Sequence, residues 1–282
     1  MNIRPFFLVI LAICLAACGD SAPNYAANDP VPQHVATSLQ SKVLGEARDI
    51  AIWLPPEYAA NDQDYPVVYM PDGGVKEDFP HIANTLAGMI AAGEIAPVIL
   101  VGVSNTERGR DMTPASTTDY DRDFGPQTDG AKNFRAFWRD ELIPMIERQY
   151  RTNSERAIVG ESFAGLFIMD SFFREPEVFQ RHIAIDPSLW WDDFALVKMS
   201  ERNLGATDTN GITLWFAGSD AEDINIHTTA LARVLRISAP DSLRWKYVSM
   251  PEEQHSTIYR AAKEDAFRWA LWPARTQSAA NR

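Results

Sequence analysis

Apolar positions along the chain gather into short dense runs, separated by longer stretches in which they recur every three or four residues. The dense runs, Asp49 to Leu54, Pro66 to Met70, Pro97 to Val103, Arg156 to Val159, His182 to Ile185, Ile212 to Ala217 and Trp245 to Val248, are too short for helices and rich in β-branched side chains. They predict strands. Helical spacing marks the stretches near 80–92, 131–150, 164–174, 190–203, 226–238 and 257–271. A run such as Pro97-Val98-Ile99-Leu100-Val101 has no polar face, as expected of a strand covered on both sides. An opening β-hairpin followed by strand–helix alternation predicts an α/β fold: a mostly parallel central sheet between two helical layers. No internal repeat or second boundary interrupts residues 34–282, and the 282-residue chain is long enough for one large core.

Two segments break the alternation. Residues 104–130 carry neither period and leave the carboxyl end of a strand, which is the ligand side of an open α/β sheet. They are expected to form a lid or a substrate-contact loop. At the other end, Arg4 precedes the apolar run Pro5 to Ala17, which is too short to span a bilayer, for which about 20 residues are needed. Leu15-Ala16-Ala17-Cys18 has the form of a lipobox, so residues 1–18 read as a lipoprotein signal ending at a lipidated Cys18. Gly19, where aspartate would signal inner-membrane retention, favours the periplasmic side of the outer membrane. The polar, proline-punctuated residues 19–33 read as a flexible tether.

Charge narrows the partners. A formal net charge of -12, with no basic or aromatic-basic run to offset it, excludes nucleic acid as a natural partner. No zinc-ligand spacing, phosphate loop or dinucleotide fingerprint is present, so no cofactor or metal is expected. The membrane is expected as a partner through the lipid anchor alone. The oligomeric state is not legible.

The chemistry centres on Gly160-Glu161-Ser162-Phe163-Ala164-Gly165, between a predicted strand and a predicted helix. That is the context of a nucleophile elbow, with alanine where a second glycine is usual. Ser162 needs a base. His255, in the loop after the last strand, fits the order serine, acid, histidine better than His34, His81, His182 or His227. Three acids crowd the stretch Gly218 to Asp223; Asp220, nearest the strand end, is the first choice, with Glu222, Asp223 and Asp186 as alternatives. The acyl oxygen is expected to meet the backbone N–H of Phe163 and that of Gly73, with Gly74 or Val75 beside it. Arg108 and Arg110 are candidates for an anionic substrate, with Arg110 and Trp190 taken as the substrate-binding pair; Trp190-Trp191 is a candidate pocket floor.

Several motifs together resemble the esterase D and ferric-enterobactin esterase branch of the α/β hydrolases. They are Tyr65-Pro66-Val67-Val68-Tyr69-Met70-Pro71-Asp72-Gly73, Val103-Ser104-Asn105-Thr106-Glu107-Arg108, Arg110-Asp111-Met112-Thr113-Pro114 and Pro187-Ser188-Leu189-Trp190-Trp191-Asp192. The resemblance covers most of residues 40–271. It implies the α/β-hydrolase fold, Ser162 as nucleophile, His255 as base, and an acid in the Gly218 to Asp223 loop or a dyad without one. Glu161 stands where the branch usually has histidine, and Asp186 where it commonly has serine. The expected function is serine-dependent hydrolysis of a small exported ester, such as a siderophore, feruloyl or acetyl ester. An inactive binding lipoprotein and an acyltransferase are the alternatives.

Overall fold

The computed structural model describes residues 29–274. Its strands are β1 (Val35–Gln40), β2 (Ala47–Trp53), β3 (Tyr65–Met70), β4 (Ile99–Val103), β5 (Thr152–Glu161), β6 (Arg181–Ile185), β7 (Thr213–Gly218) and β8 (Arg244–Ser249). They form one sheet in the order β1-β2-β4-β3-β5-β6-β7-β8. Pairings β1–β2 and β2–β4 are antiparallel, and those from β4 through β8 are parallel. This is the α/β-hydrolase architecture that the alternation and the resemblance imply.

Both faces of the central strands are buried, and alternation along each strand sorts the side chains between them. Val67, Tyr69 and Ile158 join one core with Phe134, Trp138, Phe167 and Leu231. Val68, Met70 and Val159 join the other with Ile82, Leu86, Ala266 and Phe267. The first layer holds α3 (Gly130–Phe137), α4 (Ile143–Gln149), α5 (Phe163–Arg174), α6 (Trp191–Leu204) and α7 (Glu222–Ser238). The second holds α1 (Phe79–Ala91) and α8 (Ile258–Ala270). Each fully buried Leu, Ile or Phe contributes about 1.5–3 kcal/mol, which is why runs without a polar face become central strands. The helical pattern read as 131–150 is continuous but passes through a π turn at Trp138–Leu142. Pro144, lacking an N–H, cannot complete the ordinary ladder there.

Two features place the site. From β3 the chain steps outward to β4, beside β2, then crosses to the other side of β3 and runs from β5 to β8, so the order switches between β3 and β5. A crevice outside the carboxyl ends of strands at such a switch is the usual ligand position. The segment 104–130 lies on that same side. It is more ordered than its pattern suggests, with α2 (Arg108–Met112) and a 3₁₀ turn at Tyr120–Asp123. Asp111, Met112, Thr113, Ser116 and Asp121 are buried in it.

Residues 1–28, with the expected signal and Cys18, lie outside the described residues, as does most of the stretch read as a tether. The last part of that stretch touches the domain: Asp29 pairs with Arg260, and Asn84 Nδ2 donates to the Pro30 carbonyl at 2.9 Å. Among the described residues no helix is long and apolar enough to cross a membrane.

Candidate active site

β5 ends in the predicted elbow. Ser162 has φ 60° and ψ −119°, a backbone region costly for a residue with a Cβ, on the order of 1–3 kcal/mol. Neighbouring bonds hold it there. Its N–H donates to Ile185 O at 3.1 Å, and its own carbonyl accepts from Leu166 N at 2.9 Å and Ser188 N at 3.1 Å. A methyl added at Gly160 would lie 2.6 Å from Ala164 Cβ, so the alanine that departs from the motif already fills the space glycine leaves opposite it. Gly165 is needed for a different contact, because a Cβ there would meet Pro187 Cα at 2.9 Å. The turn therefore tolerates alanine at 164 only with glycine kept at 160.

His255 arrives from the loop after β8. Its Nε2 lies 3.2 Å from Ser162 Oγ, and its Nδ1 lies 2.6 Å from Asp186 Oδ2. Asp186 directly follows β6, with φ 47°, and is fully buried. Its carboxylate also accepts from Ser219 N at 2.6 Å and Ser219 Oγ at 2.7 Å. The acid on the imidazole is thus Asp186, not the first-choice Asp220. Asp220 is exposed, and its backbone N–H donates to Glu253 O at 2.9 Å. Glu222 and Asp223 are also exposed, in the first turn of α7, where the helix dipole favours negative charge. A signal for Asp186 was present: a carboxylate closing the apolar run of β6 is costly unless donors surround it.

The other histidines are held elsewhere. His81 is buried, with Lys263 Nζ donating to its Nδ1 at 3.3 Å and its Nε2 bonded to Asp78 Oδ1 at 3.1 Å. His182 is fully buried among Phe172 and Phe179, and burial pushes its pKa down to about 3. His34 bonds Pro32 O, and His227 stacks on Phe194.

Directly after Ser162, Phe163 is the first residue of α5, so its N–H has no intrahelical acceptor. Gly73 does not match it as a second donor. Its N–H is spent on Val103 O at 2.9 Å, and a Cβ there would fall 2.3 Å from Gly102 Cα. The Gly73–Gly102 pair lets two backbones touch where β3 and β4 end. The Gly74 N–H is taken by Glu77 Oε2 at 2.7 Å.

The two arginines of α2 part company. Arg110 is turned to Glu46 (2.7 Å) and Asp111 (2.8 Å), so it lies in an ion network with Arg48 rather than at the nucleophile. Arg108 is the one at the site. It bonds Asp72 through Nε (2.8 Å) and Nη2 (3.0 Å), reaches the Glu161 carbonyl at 3.5 Å, and lies 5.4 Å over the Phe163 ring. The tryptophans divide likewise. Trp191 is core, its Nε1 donating to Pro114 O at 3.0 Å. Trp190 is half-buried, with its ring centroid 5.8 Å from Phe163, 5.1 Å from Phe124 and 5.8 Å from Tyr120. Phe124 and Tyr120 come from the aperiodic segment, whose aromatic role had no periodic signal to reveal it.

Trp190 is held by a strained turn. Asp192, Asp193 and Phe194 all have φ near 50°. The segment 104–130 clamps them: Thr117 N donates to Asp192 Oδ1 at 2.7 Å, and Asp192 N donates to Asp121 Oδ2 at 2.7 Å.

The geometry is that of a hydroxyl, an imidazole and a carboxylate in line beside a helix N-terminus and an aromatic wall. The family model described as "Putative esterase" matches residues 41–259. Ferri-bacillibactin esterase BesA of Bacillus subtilis is 25% identical over 240 residues, covering 74% of this chain and 80% of that protein. The apo-salmochelin esterase of Escherichia coli is 26% identical over 179 residues, 59% of this chain and 55% of its own. Among solved structures, an IroE-like serine hydrolase from Shewanella oneidensis superposes with a TM-score of 0.77 at 31% identity, covering 84% of this chain and 79% of that one. The chain therefore belongs to this esterase family of α/β hydrolases and is an ester hydrolase.

Proposed function

We propose that the protein hydrolyses a small ester bearing an aromatic group, through an acyl-enzyme on Ser162. The supporting observation is the relay of Ser162 Oγ, His255 Nε2 at 3.2 Å, and Asp186 Oδ2 at 2.6 Å from Nδ1. Ser162 Oγ attacks the ester carbonyl carbon while Nε2 takes its proton. Asp186 holds the ring so that Nδ1 carries the other proton and Nε2 is the base. The carbonyl oxygen becomes anionic beside the Phe163 N–H, with the Arg108 cation over the same ring. Collapse breaks the ester C–O bond, and the proton on Nε2 passes to the departing alcohol. Water then attacks the acyl-serine by the same route and returns the enzyme.

Trp190, Phe163, Phe124 and Tyr120 offer an aromatic face beside the nucleophile. A siderophore ester is the favoured substrate class, in keeping with relatives named as siderophore enterobactin esterase and siderophore triacetylfusarinine C esterase. A feruloyl ester fits the same face, and an acetyl ester would leave it unused. The test is direct. A fluorophosphonate probe should label Ser162, and wild type should cleave a p-nitrophenyl ester while Ser162→Ala does neither. Failure of the folded wild type in both assays overturns the reading. Feruloyl esters turning over no faster than acetyl esters would remove the aromatic preference. Export with a lipid on Cys18 completes the proposal, and Cys18→Ser should release the protein from the membrane fraction.

A further inference from the structure

Glu161 joins the strand that delivers the nucleophile to the nucleophile itself, yet acyl transfer as written above gives it no task. Its surroundings are poor ones for a negative charge. Oε1 is sealed from solvent and has no hydrogen-bond donor among the described residues. Charged groups bear on it from every element that converges here: Asp186 after β6, Asp78 before α1, His255 before α8, and Arg108 in α2. Two of these are carboxylates. The cation is already engaged, because Arg108 is bound in two-point fashion by Asp72, and its contact with Glu161 is to the backbone carbonyl. Tyr259 of α8, with its hydroxyl buried and unpartnered, faces Asp78, Asp72 and Glu161 itself. An ionised Glu161 would put a bare oxygen where nothing donates to it, beside two like charges. A protonated carboxyl fits.

We propose that Glu161 is a positioning residue for acyl transfer, carried as the neutral acid so that no further negative charge faces the imidazole or the acyl oxygen as it becomes anionic. The proposal rests on Ser162 and His255 being the reacting pair. Burial pushes the Glu161 carboxyl up to about 8 from its ordinary 4.5, so it keeps its proton through neutrality and loses it in mildly alkaline solution. Once ionised, it competes with Asp72 for Arg108 and opposes the oxyanion beside Phe163. The stability consequence has a definite sign. The folded carboxyl binds its proton more tightly than the unfolded one, so its contribution is complete below 4.5 and is lost as pH rises through about 8.

The experiment measures kcat/KM for an activated ester from about pH 5 to about pH 10 in wild type and Glu161→Gln, with urea midpoints on the same samples. Wild type should lose activity several-fold through about pH 8. The variant should lack that descent, and its acid limb should stay where wild type has it. The variant's urea midpoint should gain on wild type as pH rises from about 5 to about 8 and level off above that. An acid limb displaced to lower pH in Glu161→Gln would mean the carboxyl is charged during turnover and would overturn the proposal. An alkaline descent that survives the substitution, or a midpoint difference independent of pH, overturns it too. If neither protein turns over, the Ser162–His255 reading has failed, while the urea series still decides whether Glu161 holds its proton.

Discussion

The carboxyl ends of β6 and β7 lie side by side, with Ile185 paired to Ala217, yet they use acidic residues in opposite ways. β6 is followed by one aspartate that is fully buried and meets three donors, Ser219 N, Ser219 Oγ and His255 Nδ1. β7 is followed by three acids in four residues, all turned to solvent, with Ser219 as the residue that reaches inward. A cluster of carboxylates marks a helix start here, and a lone carboxylate in an apolar run marks the site. What separates them is the supply of donors. A buried carboxylate is sustained only where hydrogen bonds replace the water it has lost.

The sharpest way to break this comparison is to neutralise each acid in turn. Asp186→Asn should cost about 10⁴-fold in kcat, because the amide no longer fixes the imidazole tautomer, whereas Asp220→Asn should change kcat by less than about twofold. Equal losses measured with a p-nitrophenyl ester would abolish the distinction. The tryptophan pair gives a second contrast of the same kind. Trp191→Ala should destabilise the fold by about 3–5 kcal/mol in urea titrations, while Trp190→Ala should mainly raise KM for aromatic esters and leave acetyl esters little affected.

Ser219→Ala removes one donor from Asp186 without touching the reacting atoms. It should lower stability by about 1.5–3 kcal/mol and reduce kcat less than Asp186→Asn does, which equilibrium unfolding and kinetics check together. The smallest effect belongs to the arginine that is not at the site. Arg110, hydrogen-bonded to Glu46, holds its carboxyl down at about 2 against an ordinary 4.5. The folded carboxyl ionises more readily than the unfolded one, so this stabilisation is present above 4.5 and is lost as pH falls toward 2. Because the pair is partly exposed, Arg110→Ala should cost no more than about 1 kcal/mol at neutral pH, and that difference should shrink on acidification.

What could be read in advance follows the range of the interactions involved. Central strands declared themselves because Val67 to Met70 or Ile99 to Val103 must bury both faces, and only an uninterrupted apolar run does so. β1 is mostly exposed along its length, so it left no comparable pattern. Ser162 was legible because the elbow is local, a strand, small residues and a helix in one short segment. His255 was legible because chain order confines it to the last loop before α8.

The remaining identities were settled by partners far away in sequence. Asp186 was selected over Asp220 by Ser219 and His255, Arg108 was separated from Arg110 by Asp72 and Glu46, and Gly73 was withdrawn as a donor by Val103. Sequence by itself determined the central strands, the turn that strains Ser162 and the loop that carries His255, since periodicity and backbone sterics act over a few residues. Tertiary structure alone decided which carboxylate meets His255, which guanidinium lies over Phe163 and which indole stays half-buried beside it. Donors, acceptors and burial come from segments that meet only when the sheet has formed.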